Sequence, residues 1–177
     1  MPVEEVEYSR LVFDRRVRQA CVTPRFACPH HGHSWACPPA APYMEDALKE
    51  YDRLFLVHVS VDASGKSAWK AGAEAERRYW AEVASLLERR GAEFGERLVF
   101  GPGGSCGVCN NPEDGGCTHD DGLPCRYPER RTYSMEAVGI DVTATARACG
   151  LVLDWPPATR QTRVGLVAFK EREKGRR

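Results

Sequence analysis

The chain has 177 residues, of which 42% are hydrophobic, with 25 Lys and Arg against 25 Asp and Glu. That length supports one domain, residues 1–177, with a continuous apolar core, so the eight cysteines are not needed for bulk stability. The balanced charge offers no broad field for nucleic acid or an anionic membrane surface, and no stretch approaches the roughly 20 apolar residues that span a bilayer.

In chain order, the first residues, Met1-Pro2-Val3-Glu4-Glu5, are acidic where a secretory leader needs a basic start and an apolar run, which predicts a cytoplasmic protein. In that reducing compartment cysteine patterns point to metal or catalysis rather than to disulfides. A first loop, from about Cys21 to Pro42, is dense in Pro, His and Gly. Leu54-Phe55-Leu56-Val57-His58-Val59-Ser60-Val61 then predicts a mostly buried strand. Ser67 can cap a long helix with Trp80, Val83, Ala84 and Leu87 on its apolar stripe, and Gly91 fits its end.

Arg97-Leu98-Val99-Phe100 predicts a second strand leading into another loop, Gly101 to Pro128, dense in Gly, Asn, Asp and Pro. Beyond it, Ser134 or Asp141 can cap a helix with Val138, Val142, Ala146 and Cys149 on its apolar side and Gly150 at its end. Val164-Gly165-Leu166-Val167-Ala168-Phe169 predicts the last strand, and the basic run from Lys170 to Arg177 is expected to be solvated. The order β-α-β, loop, α-β predicts an α/β or α+β fold, a single-layer sheet flanked by helices with two long cysteine-rich metal-binding loops.

Those loops hold seven of the eight cysteines. The second reads Cys106-Gly107-Val108-Cys109, then Cys117 and Cys125. Four thiolates this close can close one site, and a C-x2-C turn serves tetrahedral zinc and iron–sulfur clusters alike. Zinc ribbons usually present two tight C-x2-C knuckles, whereas here there is one followed by wide gaps, which suits a cluster. Gly103, Gly104, Gly107, Gly115 and Gly116 let backbone N–H groups approach the sulfurs.

The first loop offers Cys21, Cys28-Pro29 and Cys37-Pro38, and a proline directly after the cysteine recurs in ferredoxin-type cluster loops. Three cysteines leave one position, open to His30, His31 or His33, to Cys149 or to an exogenous ligand. Cys149, at helical spacing with Val138 and Val142, reads as core, His58 as a core or edge residue of its strand, and His119 as a solvated loop residue. Trp35 is expected to shield the first site; Arg126 reads by default as part of a solvated charged run, the alternative being that it offsets cluster charge or binds an anion; and Glu136 reads as the carboxylate of a helix start, the alternative being that it carries protons if it faces the metal.

Cys28 through Trp35-Ala36-Cys37-Pro38-Pro39, Gly104-Ser105-Cys106-Gly107-Val108-Cys109, and Pro124-Cys125-Arg126-Tyr127-Pro128-Glu129 running into Ser134-Met135-Glu136-Ala137-Val138-Gly139-Ile140-Asp141-Val142 resemble the DUF2284 family of predicted metal-binding proteins. The resemblance implies a metal or iron–sulfur protein and supplies no reaction. The chain departs from that family's pattern where Asn110-Asn111-Pro112 follows the C-x2-C pair and Cys117 comes later.

These features predict one or two clusters, [4Fe–4S] in type, held by Cys21, Cys28, Cys37, Cys106, Cys109, Cys117 and Cys125, with zinc as the alternative. The expected partner is a redox protein or a small-molecule substrate, without nucleic acid or membrane. No phosphate-loop, dinucleotide or nucleophile-elbow motif is present.

Overall fold

The computed structural model describes residues 2–24, 26–154, 157 and 159–172, with the side chain of Phe26 left out. The end of the basic run expected to be solvated, residues 173–177, lies outside the described residues.

Alternating apolar residues build the sheet. In chain order the strands are β1 (Val3–Val6), β2 (Val22–Thr23), β3 (Phe26–Ala27), β4 (Arg53–Asp62), β5 (Phe94–Gly101), β6 (Tyr133–Ser134) and β7 (Arg160–Glu171). Five form one mixed sheet in the order β1-β4-β7-β5-β6, antiparallel except for the β5–β6 pair. Strands β2 and β3 pair separately as a small ribbon inside the first cysteine loop.

The side-chain period of two sends alternate residues of β4 and β7 to opposite faces. Phe55, Val57, Val59, Val61, Val167 and Phe169 meet helix α1 (Ala68–Arg90) on one side. Leu54, Leu56, Leu166 and Ala168 meet Leu48, Met135, Val138 and Ile140 on the other. That second face is covered mainly by turns and by the short helix α2 (Val142–Ala148). The expected single layer with flanking helices is therefore present, with antiparallel pairing dominant.

Ser67 caps α1 by accepting from the Lys70 N–H at 3.3 Å, and Gly91 ends it. The buried stripe is not quite the predicted one. Ala71, Gly72, Ala75, Tyr79, Val83 and Leu86 face the sheet, while Trp80 and Leu87 flank the contact. Small residues let the first turns of α1 sit close, and Tyr79 is fixed inward because its hydroxyl donates to the Phe100 carbonyl at 2.6 Å. Gly165 makes this possible. A Cβ there would lie 2.1 Å from Tyr79 Oη and 2.3 Å from the Phe100 carbonyl oxygen.

The helix predicted after the second loop is two elements, and each proposed cap serves one. Ser134 Oγ accepts from the Ala137 N–H at 3.1 Å in a 3-10 turn, Glu136–Val138. Asp141 accepts from the Ala144 N–H at 2.9 Å and starts α2. Gly139 separates them at φ 96°, with the Tyr43 ring packed where a Cβ would stand. Strand β1 was not anticipated, since its acidic residues do not read as a strand; it exists by pairing with β4.

Gly165→Ala should drive the Tyr79 hydroxyl off its acceptor and destabilise the fold by about 3 kcal/mol or more. Denaturant unfolding checks this, and a loss below about 0.5 kcal/mol, the range of a neutral surface change, would contradict the packing described.

Candidate metal centre

The Tyr79–Phe100 hydrogen bond fixes the end of β5 from which the second cysteine loop departs. Within the loop, the Asn110 N–H donates to the Gly107 carbonyl at 3.1 Å, folding the C-x2-C turn. The Gly116 N–H then donates to the Cys109 carbonyl at 3.1 Å, with Gly115 and Gly116 at φ 68° and 110°, which returns Cys117 to the turn. Thr118 Oγ1 donates to the Pro124 carbonyl at 2.9 Å and brings Cys125 back in the same way. Asp114 accepts from Asn111 at 2.7 Å and from the Tyr127 hydroxyl at 3.0 Å, tying the loop's two arms together.

Cys106, Cys109, Cys117 and Cys125 consequently line one small cavity of about 20 Å³. Its remaining wall comes from Ser34, Trp35 and Ala36 of the first loop and from Val108, Tyr127 and Arg131. Trp35 was expected to shield the first cysteine group; its place is over the second, because the two loops cross. Its indole N–H donates to the Leu123 carbonyl at 3.1 Å, and its ring meets His119 edge-on at 4.8 Å. Beside it His33 pairs with Asp120 at 3.0 Å. A clasp of three contacts thus joins the loops.

Asp14, with its N–H on the Gly139 carbonyl at 2.8 Å, and the Phe13–Ile140 bridge lay the N-terminal segment against the Met135–Ile140 turn. The 3-10 turn that follows, Arg15–Cys21, packs on Glu136–Val138 and delivers Cys21 there. The Cys28 N–H donates to the Cys21 carbonyl at 2.8 Å, closing the β2–β3 ribbon around both cysteines. On the other side, Met44 N–H bonds the Val138 carbonyl at 3.1 Å, and the segment before it holds Cys37, which is 7% exposed. The segments that carry Cys21 and that follow Cys37 thus both meet one turn of the second half of the chain.

Burial pushes the Cys21 thiol up, and the charges of Cys28 and then Glu136 add to it. Burial also raises Cys37, to about 11, opposed by a hydrogen bond with Ser34 and reinforced by Cys28, Cys21 and Cys117. Cys117 therefore acts on both groups, since it also raises Cys109. The largest cause at Cys109 is desolvation; Asp114 adds to it and Arg126 opposes it. Arg126 is itself held in the loop by Asp114 at 3.4 Å and the Gly116 carbonyl at 3.3 Å. Arg131 lines the cavity itself and was missed; in sequence it was one of three arginines after Cys125 with nothing to single it out.

Cys149 caps the end of α2 and packs against the main core, and His33 turns outward to Asp120. As placed, no three His, Cys, Asp or Glu side chains among the described residues close around a single metal ion. The donor chemistry nonetheless suits thiophilic metal, with four thiols around one cavity and cationic Arg126 and Arg131 beside it. The cavity has room for about one water-sized sphere, so a larger group would seat only with the thiol side chains turned outward.

Since the thiolate is the reactive form, Cys37 in the metal-free chain at pH 8 should alkylate at least about tenfold more slowly than free cysteine. Mass-resolved iodoacetamide labelling measures this; labelling at the free-cysteine rate would contradict the burial described.

Among the described residues no helix is long and apolar enough to cross a membrane. Neither a curated protein nor a solved structure matches the chain. The family described as predicted metal-binding protein, DUF2284, matches residues 4–169, nearly the whole chain and both cysteine loops. The chain belongs to the DUF2284 family of predicted metal-binding proteins.

Proposed function

We propose that this metal-binding chain is an iron–sulfur protein of the cytoplasm, with [4Fe–4S] clusters at one or both cysteine groups. The observation that carries the reading is the contiguity of the groups. Four cysteines line one cavity, its wall is the Ser34–Ala36 segment that leads into Cys37, and Cys117 acts on thiols of both groups. A zinc module needs no second thiol group beside its first, whereas electron transfer and cluster chemistry gain from adjacent centres of thiolate sulfur.

The second group has four cysteines and suits a fully ligated, electron-passing cluster. The first has three and suits a cluster with one iron free for redox or Lewis-acid chemistry. Trp35 and the burial of Cys37 would limit water at both and so tune their potentials. The partner on this reading is a redox protein or a small molecule reaching the first group. One observation favours zinc: the atom-sized cavity between the four cysteines of the second loop matches a single ion better than a cubane.

Anaerobic purification followed by iron, sulfide and zinc quantification and EPR separates these readings. Iron and sulfide in equal amounts with a reduced-state cluster signal are expected. Cys109→Ala should remove the second centre and about half of the iron if both groups are loaded. Stoichiometric zinc without sulfide, retained on reconstitution, would overturn the cluster reading.

Trp35→Ala leaves every cysteine in place and should hasten loss of the EPR signal in air several-fold, at unchanged initial iron content. Equal lifetimes in air would contradict the shielding role given to the indole.

A further inference from the structure

The stripe Trp80, Val83, Ala84 and Leu87, which the sequence assigns to the buried side of α1, is only partly used against the sheet: Val83 is buried there, while Trp80 and Leu87 flank the contact and Ala84 is exposed. All four instead line a cavity of about 280 Å³ between α1, β5 and the segment after Cys125. One end of this apolar floor is held by close packing. The Trp80 ring meets Tyr79 edge-on at 5.3 Å, and a Cβ on Gly101 would lie 3.0 Å from it.

The rest of the wall is cationic. Arg97 comes from β5, and Arg130 and Arg131 from the segment after Cys125, against one carboxylate, Glu129. Arg130 lies over the Tyr127 ring at 5.2 Å and Arg131 over the Tyr133 ring at 5.1 Å. Among the described residues none of the three arginines is in an ion pair, in contrast to Arg126, which Asp114 holds. Arg131 Nε is closed to solvent and has no hydrogen-bond partner, and a buried donor left so in a native protein has a specific reason. Guanidinium groups gathered at one cavity repel one another, and an anion among them reverses the sign of that interaction. An apolar body attached to the anion would at the same time cover the indole and Leu87.

We infer that this cavity binds a small organic anion, a carboxylate or phosphate on an apolar body, with Arg97, Arg130 and Arg131 around the charge and Trp80 and Leu87 against the body. The site goes beyond the iron–sulfur reading and stands whichever metal the cysteines take. Arg131 also lines the cavity of Cys106, Cys109, Cys117 and Cys125, so the anion binds one side chain away from the four thiols. Binding is non-covalent, and no bond is made or broken.

Isothermal titration of the full-length, anaerobically purified protein tests this with four probes: naphthoate, naphthyl phosphate, the neutral naphthylmethanol and inorganic phosphate. At least one of the two aryl anions should bind, one per chain, at least about tenfold more tightly than either the neutral alcohol or inorganic phosphate, and the tighter of the two identifies the group the arginines hold. Arg97→Gln combined with Arg130→Gln, both at exposed positions, should weaken that binding at least about tenfold and leave the alcohol unaffected. Ala84→Phe, also at an exposed position, adds bulk to the floor without changing charge and should abolish binding. Circular dichroism of each variant establishes that it folds. Aryl anions that bind no more tightly than the alcohol overturn the inference, as does tight binding that the double arginine variant and Ala84→Phe leave unchanged. Iron, sulfide and zinc content of the same sample decides the iron–sulfur reading separately.

Discussion

The cysteine-bearing half of this protein depends on two loops far apart in sequence crossing one another, and the Trp35 indole donating to the Leu123 carbonyl is a contact that fixes the crossing. Each loop alone is a string of turns with no core of its own. Joined, they make the segment leading into Cys37 a wall of the cavity formed by the four cysteines of the second loop. His33 with Asp120 and Trp35 with His119 strengthen the same junction from the solvent side. The exposed His33–Asp120 pair contributes little, so the Trp35 contacts and the packing of Ser34 and Ala36 against the cavity carry most of the constraint.

The sheet sets where the loops begin. Strand β5 ends where Tyr79, reaching across from α1 over Gly165, holds the Phe100 carbonyl. One face of the sheet has a conventional helix against it, whereas the other is covered by turns that also position the cysteines. Core and centre share residues on that second face. Met135, Val138 and Ile140 are fully buried, and the turn they frame packs against the Arg15–Cys21 turn. Repacking this face would therefore move ligands as well as cost stability, and loading metal would stabilise the fold in return.

The parts legible in the sequence are those set by local pattern. The aliphatic run around Val57, the cap at Ser67 with the stop at Gly91, and the strand around Leu166 announce themselves by periodicity and end signals. The seven loop cysteines are legible as two groups by spacing alone, although spacing does not reveal that the groups abut. What sequence does not carry is contact between distant segments. Strand β1 exists only through pairing with β4, and the α1 stripe turns toward Tyr79 because a carbonyl from β5 awaits its hydroxyl. Trp35 lies nearest Cys37 in sequence yet lines the cavity of the other group. Glu136 resembles an ordinary first-turn carboxylate, and only the fold shows its Oε2 closed to solvent without a hydrogen-bond partner.

X-ray absorption at the iron and zinc edges of the anaerobically prepared, full-length protein addresses the central claim most directly. The account predicts an iron-edge spectrum with a sulfur first shell and a metal–metal shell beyond it. A zinc-only sample with four sulfurs near 2.3 Å and no metal–metal shell, or a first shell lacking sulfur altogether, would contradict it.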